Sequence, residues 1–311
     1  MTDDLDLQTL RVVRALADTG TITAAADLLG YSQPAVSGQL HRAEARVGQP
    51  LVLRSGRGVT LTEAGRRLAE HAVHVQAALD AAREDLARLG GLTSGRVRLA
   101  GFPSASSTIV PDILSRLRRS HPGLTVGYVE VEPPEALALL RDGAADVALT
   151  FTHDGQSAAA HDLQGLAHHT VFTDPTVLVV PRDHPFDEGD DLGTLARERW
   201  IGGCPQCRGH LLTTCASSGF APDIVLETDN ALAVLGLVAA GLGVALLPGL
   251  SLVSAAVPEG VRVIALPDRL SRRVHLVHGR DGRRVPSVQA VADATAAVSP
   301  GAHGLHAARR R

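Results

Sequence analysis

The sequence predicts a mainly α winged helix-turn-helix at the N-terminus, a long linker helix after it, and then an α/β domain of two lobes. Three observations carry this reading. They are a capped three-helix pattern over residues 5–67, an unbroken heptad-like stripe from Glu63 to Leu89, and alternating strand and helix patterns from Val97 onward.

Leu7, Leu10, Val12, Val13 and Leu16 recur at three-and-four spacing, as on a helix that buries one apolar stripe, and Gly20 ends it. Thr23 is expected to cap a short helix from Ala24 to Leu29, whose run of alanines allows close approach, and Gly30 supplies the sharp turn after it. Ser32 caps a third helix that reaches Val47. Pro34 falls in its first turn, where a missing backbone donor costs nothing.

Ala35, Val36, Leu40, Ala43 and Val47 form the inward face of this third helix, which leaves Gln33, Ser37, Gln39 and Arg42 outward or near its N-terminus. Glutamine can bond a base bidentately, serine reaches base or phosphate, and arginine serves guanine edges or the backbone. The third helix is therefore the expected recognition element for double-stranded DNA. Leu51 to Arg54 and Val59 to Leu61, on either side of Gly56-Arg57-Gly58, read as a two-stranded wing with Arg54 and Arg57 near phosphate. One outward polar residue alone would be a solvated helix face; the ordered set is what points to DNA.

The chain has 311 residues, 45% of them hydrophobic, enough for two or three domains with proper cores. No apolar stretch has the length of a membrane span and the acidic start MTDDLDL is no export signal, so the expectation is a cytoplasmic protein without a membrane partner. A net charge of −3 argues against indiscriminate coating of nucleic acid, although a DNA-binding module needs only local positive charge, which residues 41–67 supply. Every basic residue besides histidine is arginine, so a single arginine says little by itself. Three cysteines without an export signal are expected to be reduced.

The expected divisions are a DNA-binding module over 1–62, a linker and dimerisation helix over 63–92, a two-lobed domain over 93–300 and a flexible tail over 301–311. In the linker helix Ala64, Leu68, Ala72, Val75, Leu79, Ala82, Leu86 and Leu89 keep near-heptad spacing, the pattern of a dimerising helix. The glycines at 90, 91 and 95 break it. Strands are expected at 97–101, 125–131 and 146–151, with helices at 106–120 and 134–142 between them, a pattern that predicts a parallel sheet. A second set follows, with strands at 176–181, 200–202 and 224–227 and helices at 207–218 and 230–240. Late strands at 261–266 and 273–278 and a helix at 285–298 return to the first lobe. Lobe I is thus placed at 93–154 and 267–300 and lobe II at 155–266, so that the chain crosses twice and makes a hinge.

The motifs Ala24-Ala25-Ala26, Ser32-Gln33-Pro34-Ala35-Val36-Ser37 and Leu61-Thr62-Glu63-Ala64-Gly65 resemble the signature of the LysR-type transcriptional regulators. The likeness continues through Asp146-Val147-Ala148-Leu149, Val177 to Pro181, His184-Pro185 and Gly241 to Pro248, and covers nearly the whole chain. Two positions depart from the family pattern: Gly38 stands where arginine is common, and Val52 where an aromatic is common before the wing. The resemblance implies a periplasmic-binding-protein-like domain that holds a small effector between its lobes. It also implies a homodimer or homotetramer on an interrupted palindromic operator, with RNA polymerase among its partners and neither cofactor nor metal required.

In open α/β sheets ligands settle beyond the carboxyl ends of strands, near helix N-termini. Three segments qualify as effector-binding: Pro103 to Thr108, with Ser104, Ser106 and Thr108; Gly202-Gly203-Cys204; and Thr228-Asp229-Asn230. Phe151, Thr152 and His153, with Thr173-Asp174-Pro175, are expected near the crossover and the cleft edge. The bland alternative for the serines and threonines is plain helix capping.

Cys204-Pro205-Gln206-Cys207, with His210 and Cys215 downstream, raises zinc and thiol-redox readings. On one straight helix Cys204 and Cys215 would lie about 16 Å apart, too far to share a metal. A thiol at a helix start has its thiolate favoured by the backbone dipole, so Cys204 and Cys207 are candidates for a redox-responsive regulator, against the plainer reading of packed thiols. An enzyme fused to a DNA-binding module is a further alternative, but no Gly-x-Ser-x-Gly elbow, P-loop or paired-cysteine zinc signature supports it. A constitutive architectural DNA binder leaves the two further lobes without a purpose.

Overall fold

The computed structural model describes residues 5–55, 58–89, 95–153, 163, 165–267 and 270–308. Contact density divides the chain into two units, 1–92 with 141–144, and 93–140 with 145–311.

The first unit opens with α1 (Leu7–Thr19), α2 (Ile22–Leu29) and α3 (Gln33–Val47), each closed by a glycine with φ between 68° and 76°. Val12, Val13, Leu16, Ala25, Ala26, Val36, Leu40, Ala43 and Leu51 form its core. Asp6 caps α1. The cap of α2 is Thr21, whose hydroxyl accepts from the Ala24 amide at 3.1 Å. Thr23, expected in that role, is an exposed residue inside the first turn: a capping residue must be extended and precede the helix, as Thr21 is at φ −141° and ψ 149°. β1 (Val52–Ser55) and β2 (Gly58–Leu61) pair antiparallel as the wing.

α4 (Glu63–Leu89) has 27 residues, about 40 Å at 1.5 Å per residue. Among its described side chains, the first part of the apolar stripe joins the unit's own core. Ala64, Leu68, Ala69 and Ala72 join or touch the core, whereas Val75 is 38% and Leu86 69% exposed.

Among the described residues the second unit holds three sheets. The largest has the order β13-β6-β12-β5-β3-β4 and contains β3 (Gly95–Gly101), β4 (Leu124–Glu130), β5 (Val147–His153), β6 (Leu166–Asp174), β12 (Arg272–Gly279) and β13 (His306–Ala307). It is mixed, contrary to the parallel sheet the sequence pattern suggested. β3 runs parallel to β4 and β5, but β12 is antiparallel to both β5 and β6. The reason is the hinge: β6 leaves this sheet and β12 re-enters it as its neighbour, so the two connections to the other lobe run in opposite senses. β6 therefore belongs with lobe I, not with lobe II as its place in the chain suggested.

α5 (Pro103–Ser106) and α6 (Ile109–Ser120) replace the single helix expected there; between them Thr108 takes φ −131° and ψ −85°, which no helix continues. With α11 (Pro286–Ala296) they cover one face of the large sheet through Ile109, Ile113, Leu117, Val288 and Val291, and α7 (Pro133–Arg141) covers the other through Ala136, Leu137 and Leu140. The other lobe is built on β7 (Thr176–Pro181) between β10 (Ala245–Pro248) and β11 (Val261–Ala265), with the parallel pair β8 (Arg199–Gly202) and β9 (Asp223–Glu227). α8 (Pro205–Ser217), α9 (Ala231–Ala239) and the short α10 (Leu250–Val253) complete it. The tail is also ordered further than composition suggested: Leu305 is buried in the core, and β13 pairs His306 with Thr173 and Ala307 with Phe172. The arginines at 309–311 lie outside the described residues, as do the linker glycines at 90 and 91.

Candidate functional site

α3 presents its N-terminal end as an open polar surface. Ser32, its N-cap, accepts from the Ala35 amide at 3.4 Å, and Ser32, Gln33, Pro34, Ala35 and Arg42 are exposed, with Ser37 half-buried. Ala35 thus departs from the expected inward face, because it sits about 100° around the helix from Val36.

Gln39 departs in the other direction. It lies three residues after Val36 and four before Ala43, on the buried side. Its amide donates to the Asp6 carboxylate at 3.1 Å and the Thr9 hydroxyl at 3.2 Å, and its carbonyl accepts from Arg42 at 2.9 Å. Asp6 also takes a 2.7 Å bond from Arg46. Burial would raise the Asp6 carboxyl, but the Thr9 amide, Arg46 and the Thr9 hydroxyl overcome it and hold the group at about 2. Gln39 is therefore a buried strut that fixes Arg42 and ties α3 to α1. The Arg54 side chain and Arg57 lie outside the described residues.

In the second unit the two hinge crossings meet at a buried ion pair. Asp174, at the end of β6, is 0% exposed, and Arg272, at the start of β12, is 2% exposed; Nε of Arg272 donates to Asp174 Oδ2 at 2.7 Å. The other Asp174 oxygen accepts from the Leu250 amide at 2.9 Å, and Nη2 of Arg272 donates to Ser104 Oγ at 2.6 Å. The guanidinium carbon lies 4.4 Å from the Phe151 ring centroid and 4.9 Å from that of Phe102. Thr176 donates to the Leu270 carbonyl, a second tie between the crossings.

Packed beside this pair are groups from both lobes. The His153 and His210 rings stack at 4.0 Å. His153 is 4% exposed and neither of its ring nitrogens has a hydrogen-bond partner among the described residues; burial, then His210 and Arg272, press its pKa down to about 2. Cys204 joins the same apolar cluster as Phe102 and Phe151, and Cys207 packs against it. Glu132 has its carboxyl pushed up by burial, against a hydrogen bond with Cys204 and the charge of Arg272.

Two family models account for the chain: the bacterial regulatory helix-turn-helix protein of the lysR family over residues 7–66, and the LysR substrate binding domain over residues 90–299. The chain belongs to the LysR family. It is 30% identical to the HTH-type transcriptional regulator YnfL of Escherichia coli, itself uncharacterised, over 79% of this chain and 82% of that one. It is 28% identical to the regulator IlvR of Caulobacter vibrioides, over 92% and 95%. A full-length OxyR variant from Pseudomonas aeruginosa shares the fold at a TM-score of 0.76, with 21% identity and 99% of each chain covered.

Within this LysR-family chain the expected effector residues divide into three groups. Ser104, Ser106, Thr108 and Phe151 come together, but largely through bonds to one another and to neighbours. Ser104 holds Arg272, Ser106 bonds Tyr128, Thr108 donates back to the Ser104 carbonyl, and Phe151 lies under Arg272. Gly202 and Gly203 follow β8; the Gly202 carbonyl accepts from the Thr228 amide at 2.9 Å, and Asn230 caps α9 by accepting from Leu232 and Ala233. Thr152 is the exception. Successive strand residues alternate faces, so it points away from Phe151 and bonds His275 at 2.8 Å beneath the sheet.

Sequence reasoning missed Arg272, Glu132, Tyr128 and the His153–His210 stack. A signal existed for the first: Arg272 alternates in register with Val274 and Leu276, which marks it as inward-facing. Cys204 and Cys215 fall in separate core clusters, and no group of three or more metal-ligating side chains occurs among the described residues.

Proposed function

We propose that this LysR-family transcriptional regulator binds an interrupted palindrome in double-stranded DNA with the N-terminal end of α3 in the major groove. The observation that carries this is the exposed Ser32-Gln33-Pro34 start of a helix whose opposite face, Val36, Leu40 and Ala43, is locked into a core. Gln33, Ser37 and Arg42 read bases or the adjacent backbone. Ser32, Thr23, Arg54 and Arg57 contact phosphate, and Gln39 acts by positioning Arg42.

The protein works as a homodimer or homotetramer. The exposed Val75 and Leu86 on α4 supply an apolar seam that the unit itself does not cover. A small effector sits against Ser104, Ser106, Thr108, Gly202, Gly203, Thr228 and Asn230 in the second unit and shifts its hinge equilibrium, which changes output to RNA polymerase. No reaction is catalysed. No helix among the described residues is long and apolar enough to cross a membrane, and the site of action is the cytoplasm, where the DNA is.

The test is a footprint on the DNA immediately upstream of the gene. Protection of two half-sites on one face of the duplex, spaced by a multiple of about 10.5 base pairs, supports the reading. Uniform, strongly salt-sensitive binding without a footprint refutes it.

A further inference from the structure

The three cysteines of the second unit stand in different surroundings. Cys215 is buried among Leu178, Trp200 and Leu211, and burial alone pushes its thiol up to about 12. Cys204 is the residue that precedes α8 and Cys207 lies in its first turn, and their sulfurs are 2.9 Å apart. Apolar packing does not require two sulfurs at hydrogen-bond distance. Gly203 permits the approach, since a Cβ there would meet Cys207 Cβ at 3.0 Å.

We infer that Cys204 and Cys207 form a redox-active dithiol that a hydroperoxide oxidises to a disulfide within the first turn of α8. A disulfide needs the sulfurs at about 2.0 Å, so closure requires a side-chain movement of about 1 Å and no refolding of the helix.

The environment divides the roles. The Cys207 thiol and the amides of Cys207 and Gln206 direct hydrogen bonds at the Cys204 sulfur and lower its pKa on balance, with burial and then the Glu132 charge opposing. The same contact with Cys204, then burial, raises Cys207, which keeps its proton. Cys204 thiolate attacks one peroxide oxygen, the O–O bond breaks, and the leaving alkoxide takes up a proton, which leaves Cys204 as a sulfenic acid. The Cys207 sulfur then loses its proton and attacks the Cys204 sulfur, the S–O bond breaks, and water departs. In sum, two thiols and one hydroperoxide give one disulfide, one alcohol and one water.

The consequence falls on the hinge. Oxidation removes the Cys204 thiol from its hydrogen bond with Glu132, in the cluster that also holds Arg272. That step rests on the effector-responsive reading above; the thiol chemistry does not.

The test uses the full-length reduced protein, exposed to hydrogen peroxide, denatured, alkylated and digested with trypsin without reductant. Arg199 and Arg208 flank one peptide, Trp200 to Arg208, that carries both cysteines. The expected product is that peptide two hydrogens lighter and unlabelled, with Cys215 still alkylated. Cys207→Ser is expected to accumulate a dimedone-reactive sulfenic acid at Cys204, and Cys204→Ser to leave Cys207 unmodified. Full alkylation of both cysteines after peroxide, a disulfide to Cys215 or to a second chain, or oxidation of Cys207 in Cys204→Ser at the wild-type rate would each overturn the inference. DNA binding by the reduced protein is read separately, so a failure there counts against the regulator and not against the dithiol.

Discussion

The reading helix of the first unit and the hinge of the second place polar side chains under opposite rules. On α3 the groups offered to DNA are exposed and held by a local serine cap and by a buried glutamine strut that reaches 33 positions back to Asp6. At the hinge the charges of Asp174 and Arg272 are removed from water and joined across 98 positions of sequence, and Arg272 also bonds Ser104 across 168. The difference teaches where each kind of site is costly to change. A surface contact can be lost with little effect on folding, whereas a buried charge left without its partner is strongly destabilising.

Substitutions that separate the two regions follow from this, beginning with the most damaging. Arg272→Met leaves the buried Asp174 carboxyl without its partner, and is expected to lower unfolding free energy by about 3–5 kcal/mol. Adding Asp174→Leu should restore part of the loss. Chemical denaturation of both variants checks it, and a single-mutant effect below about 1 kcal/mol would mean that the pair is not the hinge's anchor.

The first unit has an interior constraint of its own at Gly65, where a Cβ would lie 2.1 Å from the Leu51 carbonyl oxygen. Gly65→Ala must displace backbone, and a loss of about 1–3 kcal/mol is expected in the same assay.

His153 brings pH into the comparison. Its folded-state pKa is lowered from 6.5 to about 2. Below pH 6.5 the unfolded chain therefore binds a proton that the folded one refuses, and stability falls as pH falls. The expected slope is about 1.4 kcal/mol per pH unit between pH 6 and pH 5 from this residue. Thermal denaturation across that interval should show the slope flattened by that amount in His153→Leu.

The smallest effect separates two threonines. Thr21→Ala removes the α2 cap and should cost about 1 kcal/mol, while Thr23→Ala, exposed within the helix, should change stability by no more than about 0.5 kcal/mol. Equal effects would contradict the observed start of α2.

The helices of the first unit were legible because caps, glycines and apolar spacing are local signals, and α1, α3 and α4 fall where those signals placed them. The differences there are of one position or one face: Thr21 caps α2 where Thr23 was expected, and Gln39, expected outward, is buried. In the second unit most strands were readable, but β6, β10 and β13 were not among those expected, and the partners of the others were not legible. Nothing near residue 166 announces that β6 returns to the first sheet, and nothing near Pro300 announces that Leu305 anchors the tail. The hinge site was the least legible, since Asp174, Arg272, Ser104 and Glu132 meet only when four separate elements pack.

The role of α3 in reading DNA is measured by comparing wild type with Gln33→Ala on the footprinted operator and on versions with each half-site base pair replaced in turn, by fluorescence anisotropy at physiological salt. Gln33→Ala is expected to lose discrimination at one base pair per half-site, worth about 1–3 kcal/mol, with the salt dependence and the fold intact. Equal weakening on every sequence, or no change on any, would contradict the assignment of the start of α3 as the element that reads DNA.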